Sequence, residues 1–102
     1  MATVIDITGK IKNEQKFIIY NGKNYKVDDR KNTIIKVFSI IDSADGPSVE
    51  MIDNVLTELL GKEAVKDFND FSYGDYLVPF FAAMACVQNK SYEEVERSFR
   101  ES

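Results

Sequence analysis

The stretch Ser72–Lys90, SYGDYLVPFFAAMACVQNK, constrains the fold most, because it is the most apolar part of the 102-residue chain. Its large apolar residues recur three or four positions apart, with small residues between them; the large ones are Tyr76, Leu77, Phe80, Phe81, Met84 and Val87. This spacing predicts a helix that is apolar almost all round, and such a helix lies at the centre of a domain. It is too short to span a bilayer, which takes about 20 apolar residues.

Pro79 bears on where this central helix begins. Proline fits the first turn of a helix, but further in it removes a hydrogen bond and bends the axis. Either the helix begins near Asp75, with Ser72–Gly74 as a looser lead-in, or it begins at Ser72 and bends at Pro79. We expect the start near Asp75.

The N-terminal part of the chain is typical of β-structure. Ala2–Thr8 is short and β-branched, which predicts a strand. Phe17–Tyr20 predicts a second strand and Lys23–Val27 a third. The Asn21-Gly22 dipeptide between them favours a two-residue hairpin turn, which places Tyr20 opposite Lys23 and Ile18 opposite Tyr25.

The rest of the chain predicts helices. They are expected from about Arg30 to Ser43, over Val49–Leu60 with Gly61 closing it, over Lys62–Asp70, over the central stretch to Asn89-Lys90, and after a Ser91–Glu94 capping box. Asp28 and Asp29 are expected to cap the first helix, whose apolar face holds Ile34, Val37, Phe38 and Ile41.

This order of elements predicts an α+β fold. A small N-terminal antiparallel β-hairpin or three-stranded sheet precedes a bundle of four to five helices. We expect a single domain over residues 1–102, with a β-rich part at 1–28 and a helical part at 29–102.

The composition argues against catalysis and against several kinds of site. There is no histidine and a single cysteine, so the usual general base and a zinc site are missing. The five glycines form no phosphate-binding loop. The net charge of −4 disfavours nucleic acid, and no segment suits a signal peptide or a membrane span. We expect no enzyme, no cofactor and no metal, and a buried, inert thiol at Cys86 in a reducing cytoplasm.

Surface for binding therefore remains. Tyr73 and Tyr76 are amphipathic and suit an interface, although a ring packed in the core with a solvated hydroxyl is the other interpretation. The lysines between Lys10 and Lys36 allow two interpretations as well. They form a basic face for an acidic partner, or they only solvate the strands and protect a sheet edge.

Residues 59–100 resemble the tail assembly chaperones of long-tailed phages and prophages of Gram-positive bacteria. The resemblance rests on a run of short motifs at helix starts, helix ends and core positions. These are Leu59–Gly61 (LLG), Lys62–Val65 (KEAV), Ser72–Tyr76 (SYGDY), Met84–Gln88 (MACVQ) and Ser91–Phe99 (SYEEVERSF). It covers about 40 residues well, none of the motifs is catalytic, and Pro79 departs from the pattern.

The resemblance implies a function in tail assembly. Such chaperones act in the host cytoplasm, are absent from the mature virion, and coat the tape measure protein until tail tube subunits displace them. Many have a longer frameshifted form that recruits the tube protein. For this chain it implies the tape measure protein as partner and self-association. We expect the contact on the exposed faces of Val49–Leu60 and Tyr73–Val87, with Tyr73, Tyr76 and Phe80 as anchors.

A small adaptor or inhibitor that binds one protein partner is the alternative. It shares the acidic charge, the small size and the missing catalytic groups. Neighbouring genes, or a slippery sequence in the coding DNA near Arg100–Ser102, distinguish the two.

Overall fold

The computed structural model describes residues 2–101, so the two ends of the predicted domain, Met1 and Ser102, lie outside the described residues. The elements are a 3-10 helix at Thr8–Lys10, strands β1 (Lys16–Tyr20) and β2 (Lys23–Val27), and helices α1 (Lys31–Ser43), α2 (Val49–Leu60), α3 (Lys62–Asp67), α4 (Tyr73–Gln88) and α5 (Tyr92–Glu101). A two-stranded antiparallel sheet followed by helices confirms the predicted α+β fold.

The hairpin has the predicted register. Tyr20 lies opposite Lys23 and Ile18 opposite Tyr25. Asn21 and Gly22 both have positive φ angles, of 52° and 78°, which is the conformation that the two-residue turn needs. The sheet face that carries Tyr25 packs on the helices.

The strand predicted over Ala2–Thr8 was wrong, because this segment pairs with neither strand of the sheet. Residues 2–7 form no regular element and are exposed, and Thr8 begins the short 3-10 helix. A β-branched segment becomes a strand only beside a sheet edge. The residues that join it to β1, 12–15, instead line a polar cavity with the end of β2 and with α2.

Helix α1 buries the predicted face with one exception, Phe38. Val37 and Thr33 are buried, and Ile34, Ile40 and Ile41 pack against the core. Phe38, expected on the buried face, points outward with 40% of its surface exposed. The polar Thr33 takes a place on the core side because its hydroxyl donates to the Asp28 carboxylate at 2.9 Å.

The predicted capping of α1 by Asp28 and Asp29 was also wrong. The residue that precedes the helix is Arg30, and no side-chain cap bond is made there. The Asp28 carboxylate instead accepts from the Arg30 guanidinium, at 2.9 Å to both Nε and Nη2. These bonds hold the pKa of Asp28 well below its ordinary value, against the opposing effect of burial.

Helix α4 begins two residues earlier than expected, at Tyr73. Ser72 caps it, because its Oγ accepts from the Asp75 backbone N–H at 3.2 Å. Pro79 therefore lies inside the helix, where its missing N–H leaves the Asp75 carbonyl without its usual partner. The helix ends as predicted, since Asn89 adopts the left-handed conformation and the Lys90 N–H donates to the Ala85 carbonyl.

The core lies where α4 crosses α2 and meets α5. Phe81 of α4 is buried and its ring lies 5.0 Å from Phe99 and 5.9 Å from Tyr92, both on α5. The predicted capping box orients α5: the Glu94 N–H donates to Ser91 Oγ, and the Ser91 N–H donates to the Glu94 carboxylate. A second aromatic cluster joins the hairpin to the end of α3 through Tyr20, Tyr25, Phe68 and Phe71.

Candidate binding surfaces

No three or more acidic or cysteine side chains in residues 2–101 come together to hold a metal ion. Burial raises the pKa of the Cys86 thiol, which disfavours the reactive thiolate. None of the helices described is long and apolar enough to cross a membrane. Three surfaces with exposed apolar side chains are candidates for binding another molecule.

Of the three residues proposed as partner anchors, the structure leaves one at the surface. Tyr73 is half exposed at the start of α4, whereas Tyr76 and Phe80 are buried. The Tyr76 hydroxyl donates to the Asp53 carboxylate on α2. Burial, followed by this bond, raises the pKa of Tyr76 above its ordinary value. Tyr76 and Phe80 join α4 to its neighbours, so Tyr73 alone is available for contact without a rearrangement.

The first exposed apolar surface is an outward stripe on α1, made by Lys31, Ile35, Phe38 and Asp42. These residues are four, three and four positions apart, so they follow one side of the helix. Ile35 is 60% exposed and Phe38 is 40% exposed. The stripe lies opposite Val37, which is fully buried. An apolar pair flanked by a lysine and an aspartate is suited to packing against another helix.

The second surface is an apolar groove of 360 Å³ between β1 and α4. Ile19 and Tyr20 form its strand side, Phe68 and Phe71 close one end, and Val78, Pro79 and Ala82 form its helix side. Two carboxylates, Asp70 and Asp75, lie at its margin. The groove runs along the edge of β1 that does not pair with β2.

The free edge of β1 has unpaired backbone groups, and one residue of this edge, Ile19, lines the groove. The tight turn makes Tyr20 and Lys23 a hydrogen-bonded pair, and such pairs alternate with non-bonded pairs along an antiparallel ladder. Ile18 therefore bonds to Tyr25, while the N–H and C=O of Phe17 and Ile19 point away from β2. No hydrogen bond from residues 2–101 reaches them.

The third surface is the N-terminal arm, residues 2–15, in which every residue is exposed. Its large apolar side chains are all β-branched: Val4, Ile5, Ile7 and Ile11. Ile5, for example, keeps 73% of its surface in contact with solvent. The arm elongates the molecule, whose radius of gyration is 15.7 Å and whose longest extent is 60 Å. A compact chain of this length has a radius of gyration of about 13 Å.

Two of the lysines considered for a basic face form hydrogen bonds within the fold instead. Lys16 Nζ donates to the Cys86 carbonyl at 2.7 Å and to Asn89 Oδ1 at 2.6 Å. Lys23 Nζ donates to the Asp67 carboxylate at 2.7 Å, and the Tyr25 hydroxyl donates to the same oxygen at 2.8 Å. These bonds lower the pKa of Asp67. Asp67 therefore fixes the hairpin to α3.

Comparison of the chain with models of protein families, with characterised proteins and with solved structures found no match.

Sequence reasoning missed both the stripe and the groove. The stripe was missed because Phe38 was assigned to the buried face of α1; the other residues of that face, Ile34, Val37 and Ile41, do pack on the core. The groove was missed because a third strand was predicted over Ala2–Thr8, and this segment does not pair with β1. One signal pointed to it: Phe17 and Ile19 alternate with Ile18, which gives β1 apolar residues on both faces.

Proposed function

We propose that this chain is a phage tail assembly chaperone that binds and solubilises the tape measure protein in the host cytoplasm. The observation that carries the proposal is the outward stripe on α1, where Ile35 and Phe38 stay exposed although the chain has a complete core. Large apolar side chains grouped at a surface mark contact with another protein.

The resemblance in residues 59–100 supports the same proposal. Its motifs fall at element boundaries: the Leu59–Gly61 motif at the end of α2, Ser72 at the cap of α4 and Ser91 at the cap of α5. A segment with the helix starts and ends of such chaperones has the framework that the resemblance implies.

A helical partner suits the stripe. A tape measure protein, as the resemblance implies, is a long helix with an apolar side that aggregates when uncovered. Two helices pack through side chains three and four positions apart, which is the spacing of the stripe. The pair Ile35 and Phe38 offers a short contact, so each copy binds weakly, and many copies along one helix bind strongly together. Weak single contacts also suit displacement by tube subunits.

Co-expression with the tape measure protein encoded downstream tests the proposal, followed by size exclusion with light scattering. The proposal predicts soluble tape measure protein that elutes with several copies of this chain. If the tape measure protein stays insoluble, with this chain and with its longer frameshifted form, the proposal fails. The adaptor function then becomes the better hypothesis.

Two variants locate the contact. Ile35→Asp places a charge in the stripe without touching the core, and we expect it to leave the tape measure protein insoluble. Tyr73→Ala removes the exposed ring on α4 and is the matched comparison. If Tyr73→Ala abolishes the complex while Ile35→Asp preserves it, the contact lies on α4 and the stripe is not the binding surface. Circular dichroism of each variant confirms that the fold is intact.

A further inference from the structure

We propose that the N-terminal arm of one copy binds in the groove of a second copy, as a third strand on the free edge of β1. The arm supplies an exposed segment at Ala2–Thr8 that is rich in β-branched residues. Ile7, which lies in the αR region, and Thr8, in the 3-10 helix, become extended when the arm binds. The groove supplies an open strand edge with an apolar side formed by α4. The inference does not depend on the proposed function, since each observation concerns this chain alone.

The hydrogen bonds come from β1. The N–H and C=O groups of Phe17 and Ile19 point away from β2, and Ile19 lines the groove. An added strand pairs with groups spaced in this way. Sheet edges in natural proteins usually carry a lysine or a proline that prevents such pairing. The outer edge of β2 carries Lys26. The two edge residues of β1, Phe17 and Ile19, are apolar and exposed, so this edge is unprotected.

The side-chain pattern of the arm fits the groove. In a strand, Ile5 and Ile7 project to one face, whereas Val4 and Asp6 project to the other. With Ile5 and Ile7 turned towards α4, they meet the apolar groove wall of Val78, Pro79 and Ala82. Val4 and Asp6 then face outward. The alternation therefore buries two isoleucines and leaves the aspartate in water.

Charge and position favour an arm from a second copy. The base of the arm carries Lys10 and Lys12, and the groove margin carries Asp70 and Asp75, so the charges are opposite. The arm of the same chain leaves on another side of the fold. Its residues 12–15 line a polar cavity with residues 26–30 and 57–61, away from the groove. Mutual exchange of arms closes a dimer, and one-way exchange builds a chain of copies.

Light scattering over a wide range of protein concentration tests the proposal. We expect the wild-type chain to at least double its mass as the concentration rises. The double variant Ile5→Asp, Ile7→Asp is expected to remain a monomer, because aspartates do not enter an apolar groove. The control Val4→Asp places the same charge on the side of the arm that faces outward and is expected to associate like the wild type. A wild type that stays monomeric, or a double variant that still associates, overturns the proposal.

A second pair of variants tests the strand edge itself. Ile19→Pro removes an N–H that points away from β2 and leaves the bonds between β1 and β2 in place. Asn24→Pro removes the N–H directly opposite, on the outer edge of β2. We expect the first variant to lose association and the second to keep it. Equal association of the two folded variants contradicts pairing at β1. If either proline disrupts the hairpin, the aspartate variants of the arm still decide the question.

Discussion

The N-terminal arm and the helical body contain the same kinds of apolar residue, and only the body buries them. Ile52 of α2 is fully buried, whereas Ile5 of the arm keeps most of its surface in water. Both are isoleucines within β-branched or aliphatic runs. The difference lies in what surrounds them. Helix α2 packs against α1, α3 and α4, whereas neither strand of the sheet pairs with the arm.

This comparison shows that apolar composition does not decide burial in a chain of this size. Burial requires a second element with a matching period in reach. The body meets this condition through helices that repeat every three to four residues. The arm repeats every two residues and needs a strand edge, which this fold presents at β1 and does not fill from its own chain. Matched substitutions in the arm and in the body test whether the two regions also differ in their contribution to the free energy of unfolding.

The largest difference is expected from truncating a side chain in each region. Phe81→Ala leaves a cavity between α4 and α5, and we expect it to lower the free energy of unfolding by about 3–5 kcal/mol. Ile5→Ala removes atoms that are already solvated in a single copy, so its effect is within about 0.5 kcal/mol. Urea denaturation of dilute protein measures both. If Ile5→Ala lowers the free energy of unfolding by more than about 0.5 kcal/mol, the arm is part of the cooperatively folded unit.

A smaller difference is expected from the same substitution at two glycines. Gly61 joins α2 to α3 with a φ angle of 94°, and an added methyl group strains this backbone although the space around it is open. We expect Gly61→Ala to cost about 1–3 kcal/mol. Gly9 in the arm has open space and no positive φ, so Gly9→Ala is expected to change the midpoint of urea unfolding very little. If Gly61→Ala leaves the free energy of unfolding unchanged, the added methyl group does not strain the backbone between α2 and α3.

The smallest difference is expected in the dependence of stability on pH. The pKa of Asp67 is lowered by bonds from Lys23 and Tyr25, which are distant in sequence and are lost on unfolding. A lowered pKa in the folded state stabilises the fold above the unfolded value near 4 and loses this effect as the pH falls below it. The pKa of Asp6 is lowered mainly by the neighbouring Thr8, a local bond that the unfolded chain can also form.

Thermal unfolding of two asparagine variants measures this effect. We expect Asp67→Asn to be less stable than the wild type at pH 7, with the difference shrinking as the pH falls below about 4. The melting temperature of Asp6→Asn is expected to equal that of the wild type at every pH. A difference for Asp67→Asn that is the same at pH 7 and at pH 3 shows that the carboxylate charge does not fix the hairpin to α3.

The sequence predicted the elements whose signals are local. The turn at Asn21-Gly22, the end of α4 at Asn89 and the capping box at Ser91 each depend on residues within one or two turns, and the structure has all three. The predicted start of α4 was wrong, because the cap bond to Ser72 outweighs the preference of proline for a first turn.

What the sequence did not predict depends on contacts between distant residues. Whether Ala2–Thr8 pairs with β1 is decided by the path of residues 12–15, and no local pattern reports that path. Phe38 lies outward because α1 packs on the core through the side that carries Ile34, Val37 and Ile41. Tyr76 is buried because Asp53, 23 residues away, accepts its hydroxyl. The exposed stripe and the groove both result from such distant contacts.

Amide hydrogen exchange of the wild-type chain at low and high concentration tests most directly the claim that the apolar arm is left free to bind another copy. In dilute protein, the amides of the arm and of Ile19 are expected to exchange rapidly, while the neighbouring Ile18 amide is protected by its bond to β2. At high concentration, the Ile19 amide and the arm amides are expected to slow together. An Ile19 amide that exchanges rapidly at every concentration, or an arm already protected in dilute protein, contradicts the claim.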